Sequence, residues 1–219
     1  MPRVGLTHER VVAEAAMVAD EVGLEGLTLA AVAKRFGVAV PSLYKHIDGL
    51  DALKRDLAVR CVRELTAAIS SVAVGRAGRD ALHAIANAYR TYARAHPGRY
   101  AASVRGPGPA DGELIAANEA LLAIFLAALA GYGITADSTS FGRLLNRTEP
   151  ALPRGEHALN DAIDAVRSLR AVIHGFVALE AVGGFGLQRS LDATYTRLID
   201  ALGTAFTAWS ASALASDRA

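Results

Sequence analysis

Leu27-Thr-Leu-Ala-Ala-Val-Ala-Lys-Arg-Phe-Gly-Val-Ala-Val-Pro-Ser-Leu-Tyr-Lys-His-Ile-Asp-Gly-Leu-Asp-Ala-Leu53 is the stretch on which the reading of the whole chain turns. Thr28 stands where a hydroxyl can cap a short helix, and Leu29, Val32, Ala33 and Phe36 follow at i, i+3, i+4 and i+7, one apolar stripe. Gly37 ends that helix, because glycine accepts the left-handed backbone of a C-terminus. After a turn through Val38 and Ala39, Pro41 falls in the first turn of the next helix, where its missing N–H costs nothing. Leu43 and Ile47 then point back toward Phe36 and Val32. Val40, Ser42, Tyr44, Lys45 and His46 are left facing outward or sideways. Hydroxyls, a cation and an exposed helix start are what phosphates and the edges of bases in a major groove accept. Asp48 is expected to cap a longer helix, with Asp51 three residues on and Leu50, Leu53 and Leu57 as its apolar spine. The pattern reads as a helix-turn-helix that binds DNA.

Gly-Leu-Thr at 26 to 28, Phe-Gly-Val at 36 to 38 and Pro-Ser-Leu-Tyr-Lys-His-Ile at 41 to 47 resemble the tetracycline-repressor (TetR) family over about residues 7 to 65. The resemblance implies an all-α protein: a three-helix DNA-binding head, and a larger helical body that dimerises and often holds a small ligand. Many members carry a lysine near position 50 that touches phosphate, and here the residue is Leu50. Further on, Leu169 to Leu202 resembles a C-terminal class of the family named for a Trp-His-Gly motif, with Ile173-His174-Gly175 in place of the triplet.

Working outward, Thr7 caps a first helix, His8 to Val22, with Val11, Ala15, Val18 and Val22 on one side. Met1 to Leu6 reads as a flexible arm, in which Arg3 is either a solvated charge or a phosphate or minor-groove contact. The helix after the reading pair, Gly49 to about Val72, repeats Leu53, Leu57, Cys61 and Leu65 and can bridge head and body. Val74 to Gly78, with two glycines, is the expected hinge or boundary. The expected division is therefore a head over 1–47, a connecting helix over 48–78 and a ligand-binding and dimerisation domain over 79–219. In the body, a helix from Arg79 carries Leu82, Ile85, Ala86, Tyr89, Ala93 and His96 and closes at Pro97; Tyr100 sits on a short helical turn ended by Arg105-Gly-Pro-Gly-Pro109. A helix from Asp111 or Gly112 to Ala130 is apolar all round from Ala120, which predicts a central place. Residues 134–156 are weakly periodic, with one short helix hinted by Phe141, Leu144 and Leu145; so long a connection is a functional lid or a mobile loop. Two long helices follow. The first, from about His157 or Asn160 to Val182, turns Ile163, Val166, Leu169, Ile173, Phe176, Val177 and Glu180 inward. The second, from Ser190 or Leu191, carries Tyr195, Leu198, Ile199, Leu202, Phe206 and Trp209.

Composition bounds the rest. A chain of 219 residues with net charge +1 can bury a sizeable core without announcing a nucleic-acid partner, although Lys34, Lys45 and Lys54 all fall in or beside the head. Cys61, the single cysteine, excludes an intramolecular disulfide and reads as a small buried hydrophobe rather than a redox sensor. Neither a Cys/His cluster for a metal nor a cofactor motif is present, and no phosphate loop, nucleophile elbow or His-Glu-x-x-His suggests an enzyme. The carboxylates Asp161, Asp164 and Asp192 read as solvated helix surface. With neither a signal peptide nor an uninterrupted apolar run near the roughly 18 residues of a membrane span, a cytoplasmic protein is expected.

Candidate sites follow from these pieces. On DNA, Thr28, Pro41, Ser42, Tyr44 and His46 are expected on the backbone, with Val40 against a thymine methyl and Lys45 on a guanine. Tyr89, Tyr92, Tyr100, Phe125 and His174 either line a cavity for a largely apolar ligand or simply pack a core. His174 reads as a hydrogen-bonded core or pocket residue rather than a metal ligand, since no second histidine lies three or four residues away. Glu180 is either a paired interface charge or a ligand-facing carboxylate. Gly175, Ala178, Ala201 and Ala205 would let the last two helices of two copies close tightly. The expected whole is a homodimeric repressor, released from a near-palindromic double-stranded operator by a small effector. The alternatives are a helical ligand-binding module without sequence-specific DNA binding and a helical enzyme with an accessory DNA head.

Overall fold

Thr7 Oγ1 accepts a hydrogen bond from the N–H of Arg10, and the first helix, α1, runs His8–Val22 from that cap as the sequence predicts. The computed structural model describes residues 5–108, 111–136 and 157–216, except the side chains of 157, 158 and 211–216, and every regular element among them is helical. After α1 come α2 (Leu29–Phe36), a 3₁₀ turn (Val40–Lys45), α3 (Leu50–Ala73), α4 (Gly78–Ala95), α5 (Pro97–Ser103), α6 (Gly112–Ala130), α7 (His157–Ala181) and α8 (Leu191–Ser216). Arg3, and the helix expected about Phe141, Leu144 and Leu145, lie outside the described residues.

Two compact units result: Met1–Leu65 with Ala95–Ala117, and Thr66–Arg94 with Asn118–Ala219. In the first, Val11, Ala15 and Val18 of α1, Val32 and Ala33 of α2, Leu43 and Ile47 around the 3₁₀ turn, and Leu53, Leu57 and Cys61 of α3 form one buried cluster. Cys61 is a buried free thiol within it, as expected of a small hydrophobe. The same unit holds α5 against α1 with no room to spare. A Cβ on Gly98 would meet the backbone carbonyl of Ala19 inside van der Waals contact, so only glycine permits the approach. Asp20 clasps the junction: its carboxylate accepts the Arg99 N–H at 2.9 Å, stands 3.0 Å from Arg99 Nε and 3.3 Å from His96 Nδ1.

The second unit is tied by polar groups of distant sequence. Arg90 on α4 donates to both oxygens of Glu180 on α7, at 2.8 and 2.6 Å, and to Asp192 on α8 at 2.8 Å. Its guanidinium also lies over the rings of Phe176 and Tyr195, 5.2 and 4.9 Å from their centroids, and the Tyr195 hydroxyl donates to the Ala86 carbonyl at 2.7 Å. Glu180 is thus a paired charge within the chain, and Asp192, read as solvated, is one of its neighbours on Arg90. The paired guanidinium holds the Glu180 carboxyl below its ordinary value, and burial raises the Tyr195 phenol.

Three expectations are corrected. Asp48 does not cap α3: that helix starts at Leu50 and its first bond runs from the Leu53 N–H to the Gly49 carbonyl, so Gly49, at φ +99°, takes the cap position. The second helix of the reading pair is a 3₁₀ turn, with Ser42 N–H bonded to Ala39 O and His46 N–H to Leu43 O. Six residues, one a proline without an N–H, close too few bonds to demand the α period. And α6 is not central all round: Leu121, Phe125, Leu126 and Leu129 are buried while Ala120, Ala123, Ala127 and Ala130 are exposed. It is the one described helix long and apolar enough to cross a membrane, yet half of that stretch is buried inside the chain.

Candidate nucleic-acid interface

The head presents its chemistry through the 3₁₀ turn, and the change of period decides which residues it presents. At three residues per turn, i and i+3 share a face. Val40, Leu43 and His46 therefore fall together. Leu43 is fully buried, Val40 is partly buried against the head core, and His46 is half-buried. Pro41 with Tyr44, and Ser42 with Lys45, take the other faces. Pro41 and Lys45 are exposed, Ser42 is half-buried, and Tyr44 is 57% exposed, a large aromatic left in solvent. The sequence leaves Val40 facing outward or sideways; in the structure it is half-buried, packed on the head core beside Leu43.

Thr28 is exposed at the start of α2, its Oγ1 accepting from the Ala31 N–H at 3.1 Å, which leaves the hydroxyl proton free to donate. Gly37 closes α2 at φ +66°, in the left-handed region the sequence required.

Charge sorts the cations into two kinds. Arg35 donates to Glu14 at 2.7 Å and Glu21 at 2.8 Å, and so is neutralised by α1. Among the described residues no carboxylate pairs with Lys34, Lys45 or Lys54, so these three keep their charge for phosphates. At position 50 the leucine is half-buried and packs on the head core. It adds apolar contact where a lysine would add a phosphate contact.

The five residues proposed for a ligand cavity differ in their surroundings. Tyr89, Tyr92 and Phe125 are buried in the second unit and Tyr100 in the first, while His174 is exposed on α7. Two cavities of the second unit are lined by other residues. One, of about 360 Å³, is bordered by Arg79, Tyr132, Asp200 and Thr204; Asp200 accepts from Arg79 at 2.9 Å and meets His83 Nε2 at 2.7 Å. The other, of about 310 Å³, is an apolar groove between the end of α3, α4 and α6. Sequence reasoning missed it because an exposed alanine carries no helical-wheel signal that distinguishes it from a packed one. Among the described residues no group of histidine, cysteine and carboxylate side chains is arranged to hold a metal.

Residues 11–53 match the family model described as bacterial regulatory proteins of the tetR family, and residues 82–202 match a tetracyclin repressor-like C-terminal domain. The chain is 33% identical over 195 residues to the HTH-type transcriptional regulator Rv0681 of Mycobacterium tuberculosis, covering 89% of this chain and 78% of that one. It is 32% identical over 190 residues to the HTH-type transcriptional regulator YobS of Bacillus subtilis, with 87% of each covered. In fold it is similar to the transcriptional regulator SCO7222, a TetR from Streptomyces coelicolor, with a TM-score of 0.59 at 19% identity over 93% of this chain and 99% of that one.

Proposed function

The chain belongs to the tetracycline-repressor family of bacterial transcriptional regulators, a family of DNA-binding proteins rather than enzymes, and from that premise we propose that it is a cytoplasmic, homodimeric repressor released from a near-palindromic operator by a small, largely apolar ligand. One observation carries the DNA reading. Leu43 and Ile47 anchor the 3₁₀ turn in the head core while Tyr44 and Lys45 stand exposed, as does Thr28 at the capped start of α2. Thr28, Pro41, Ser42, Tyr44 and His46 then fix the head on the phosphate backbone, and Lys45 reaches a guanine, with Val40 at most grazing a thymine methyl.

Dimerisation is supported by the open sides of the last two helices. On α7, Arg167, Ala171, His174 and Ala178 recur at helical spacing and are all exposed; on α8, Ala201, Thr204 and Ala208 do the same. A Cβ added to Gly175 would meet nothing within 4 Å, so this glycine is not spent on packing inside the chain. Small residues on an open face let two copies approach closely. A two-fold dimer sets half-sites about 34 to 36 Å apart, or a multiple of that. A ligand switches such a dimer only by binding one spacing better than the other, and near-complete switching takes about 5.5 kcal/mol of difference.

Selection from a random DNA pool at physiological salt, with the oligomeric state read by light scattering, tests the proposal. Enrichment of a near-palindrome by a dimer is the expected result. Folded protein that enriches no sequence would instead mark a ligand-binding module without operator recognition.

A further inference from the structure

We propose that the groove between the end of α3, α4 and α6 binds a monoanionic amphiphile, an unbranched apolar chain ending in a carboxylate. Ile85 and Ala128, both buried, line its floor, and Ala73, Ala123 and Ala127 its walls. Ala123 and Ala127 are exposed, and Val74 at the rim is 79% exposed, so a patch of methyl groups faces solvent where most of α6's remaining apolar surface has been covered.

The polar groups of the groove choose the ligand's sign. Two lie on its lining, the Ser70 hydroxyl and the Arg76 guanidinium, and among the described residues neither has a hydrogen-bond or ion-pair partner. No carboxylate lines the groove. A guanidinium offers a paired set of donors that matches a carboxylate, and a serine can add a third. An organic cation would find no counter-charge here, and a neutral chain would leave the guanidinium's charge unmatched. Size and shape choose the rest. At about 310 Å³ the groove stands at the lower end of the roughly 300 to 1,000 Å³ of small-molecule sites. It is too small for a helix of about 10 to 12 Å diameter. Alanine walls are smooth and shallow, which suits a methylene chain better than a branched or polycyclic body.

The consequence for regulation rests on the reading of this chain as a ligand-released repressor. Ser70 and Ala73 belong to α3, and the same unbroken helix carries Leu53, Leu57 and Cys61 into the head cluster. A ligand wedged beside its last turn acts on a rod whose first turns are part of the head core.

Calorimetry on the full chain with decanoate, kept below its micelle concentration, tests the site, with 1-decanol and decyltrimethylammonium as neutral and cationic controls. One decanoate per chain is expected, with the two controls at least about tenfold weaker, the loss that goes with one charged hydrogen bond. Arg76→Glu should weaken decanoate by about tenfold or more, and Ala127→Trp, which fills the groove from an exposed position, should abolish binding; thermal unfolding confirms that both variants fold. Absence of saturable uptake, or uptake unchanged in both folded variants, overturns the assignment. Operator affinity is measured in parallel by fluorescence anisotropy. Decanoate that binds in the groove without changing that affinity would leave the site standing and remove its role in release.

Discussion

Around the 3₁₀ turn the first unit closes over valine, leucine, isoleucine and alanine, with the Arg99–Asp20 pair joining α5 to α1; the second unit instead sets a guanidinium over two adjoining rings and pairs it across three helices. The first arrangement is assembled from stripes that each helix displays in its own sequence, and it leaves three lysines without carboxylate partners for an external polyanion. The second makes the chain supply its own counter-charges, so its cation is spent on structure. Where a positive side chain finds its anion therefore separates the surface that acts from the scaffold that holds.

The largest break in that contrast should come from Arg90→Met. With side chains only 10% and 12% exposed for Arg90 and Glu180, removing one partner strands a buried carboxylate, and the expected loss is about 3 to 5 kcal/mol in urea unfolding of the second unit. Adding Glu180→Leu should return much of it; a double variant as unstable as the sum of the two singles would show that the pair is not one unit. The same pair sets an acid limb. Because the folded Glu180 carboxyl lies below its ordinary value of 4.5, its contribution is complete above that pH and is lost as pH falls through the lower folded value, so midpoints measured from pH 6 downward should begin to drop near 4.5, and less so in the double variant. Next in size, Gly98→Ala should cost the first unit about 2 to 3 kcal/mol by pushing α5 off the Ala19 carbonyl, read by thermal unfolding. Thr28→Ala removes a cap worth about 1 kcal/mol and should weaken operator binding as well. Lys45→Ala is the smallest in stability, within about 0.5 kcal/mol, yet should reduce operator affinity at matched salt; unchanged affinity would take Lys45 out of the interface.

The same contrast explains what could be read from the sequence. Thr7, Thr28 and Gly37 act through atoms two to four residues away, and Leu43 and Ile47 through a stripe completed within one helix pair, so the caps, the turn and the core of the head were legible. So were the bounds of α1 and α6. The 3₁₀ period was not, because Val40–Lys45 is too short for a pattern to distinguish three residues per turn from 3.6. Asp48 was misplaced by one residue for a similar reason: a capping-box spacing does not say whether glycine will take the cap. In the body, Glu180 was seen to need a partner, but Arg90 lies 90 positions away and no local rule names it. The apolar run of α6 was read as burial on every side, whereas Ala120, Ala123, Ala127 and Ala130 face outward. His174 was read as enclosed, although small neighbours such as Gly175 and Ala178 line an open side just as readily as a packed one.

The spread of Arg90's partners also orders events during synthesis. Nearly all of the head cluster lies between Val11 and Cys61, with only Ala102 coming from later in the chain, so that core can begin to condense while most of the protein is still unmade. Arg90 emerges well before Glu180 and Asp192, separated from them by 90 and 102 positions, and the Ala86 carbonyl waits 109 positions for its donor Tyr195. Contacts so distant along the chain form slowly, because a long loop must close before any of them is gained. During that interval Phe176 and the alanine-rich helices have no charged clasp to hold them.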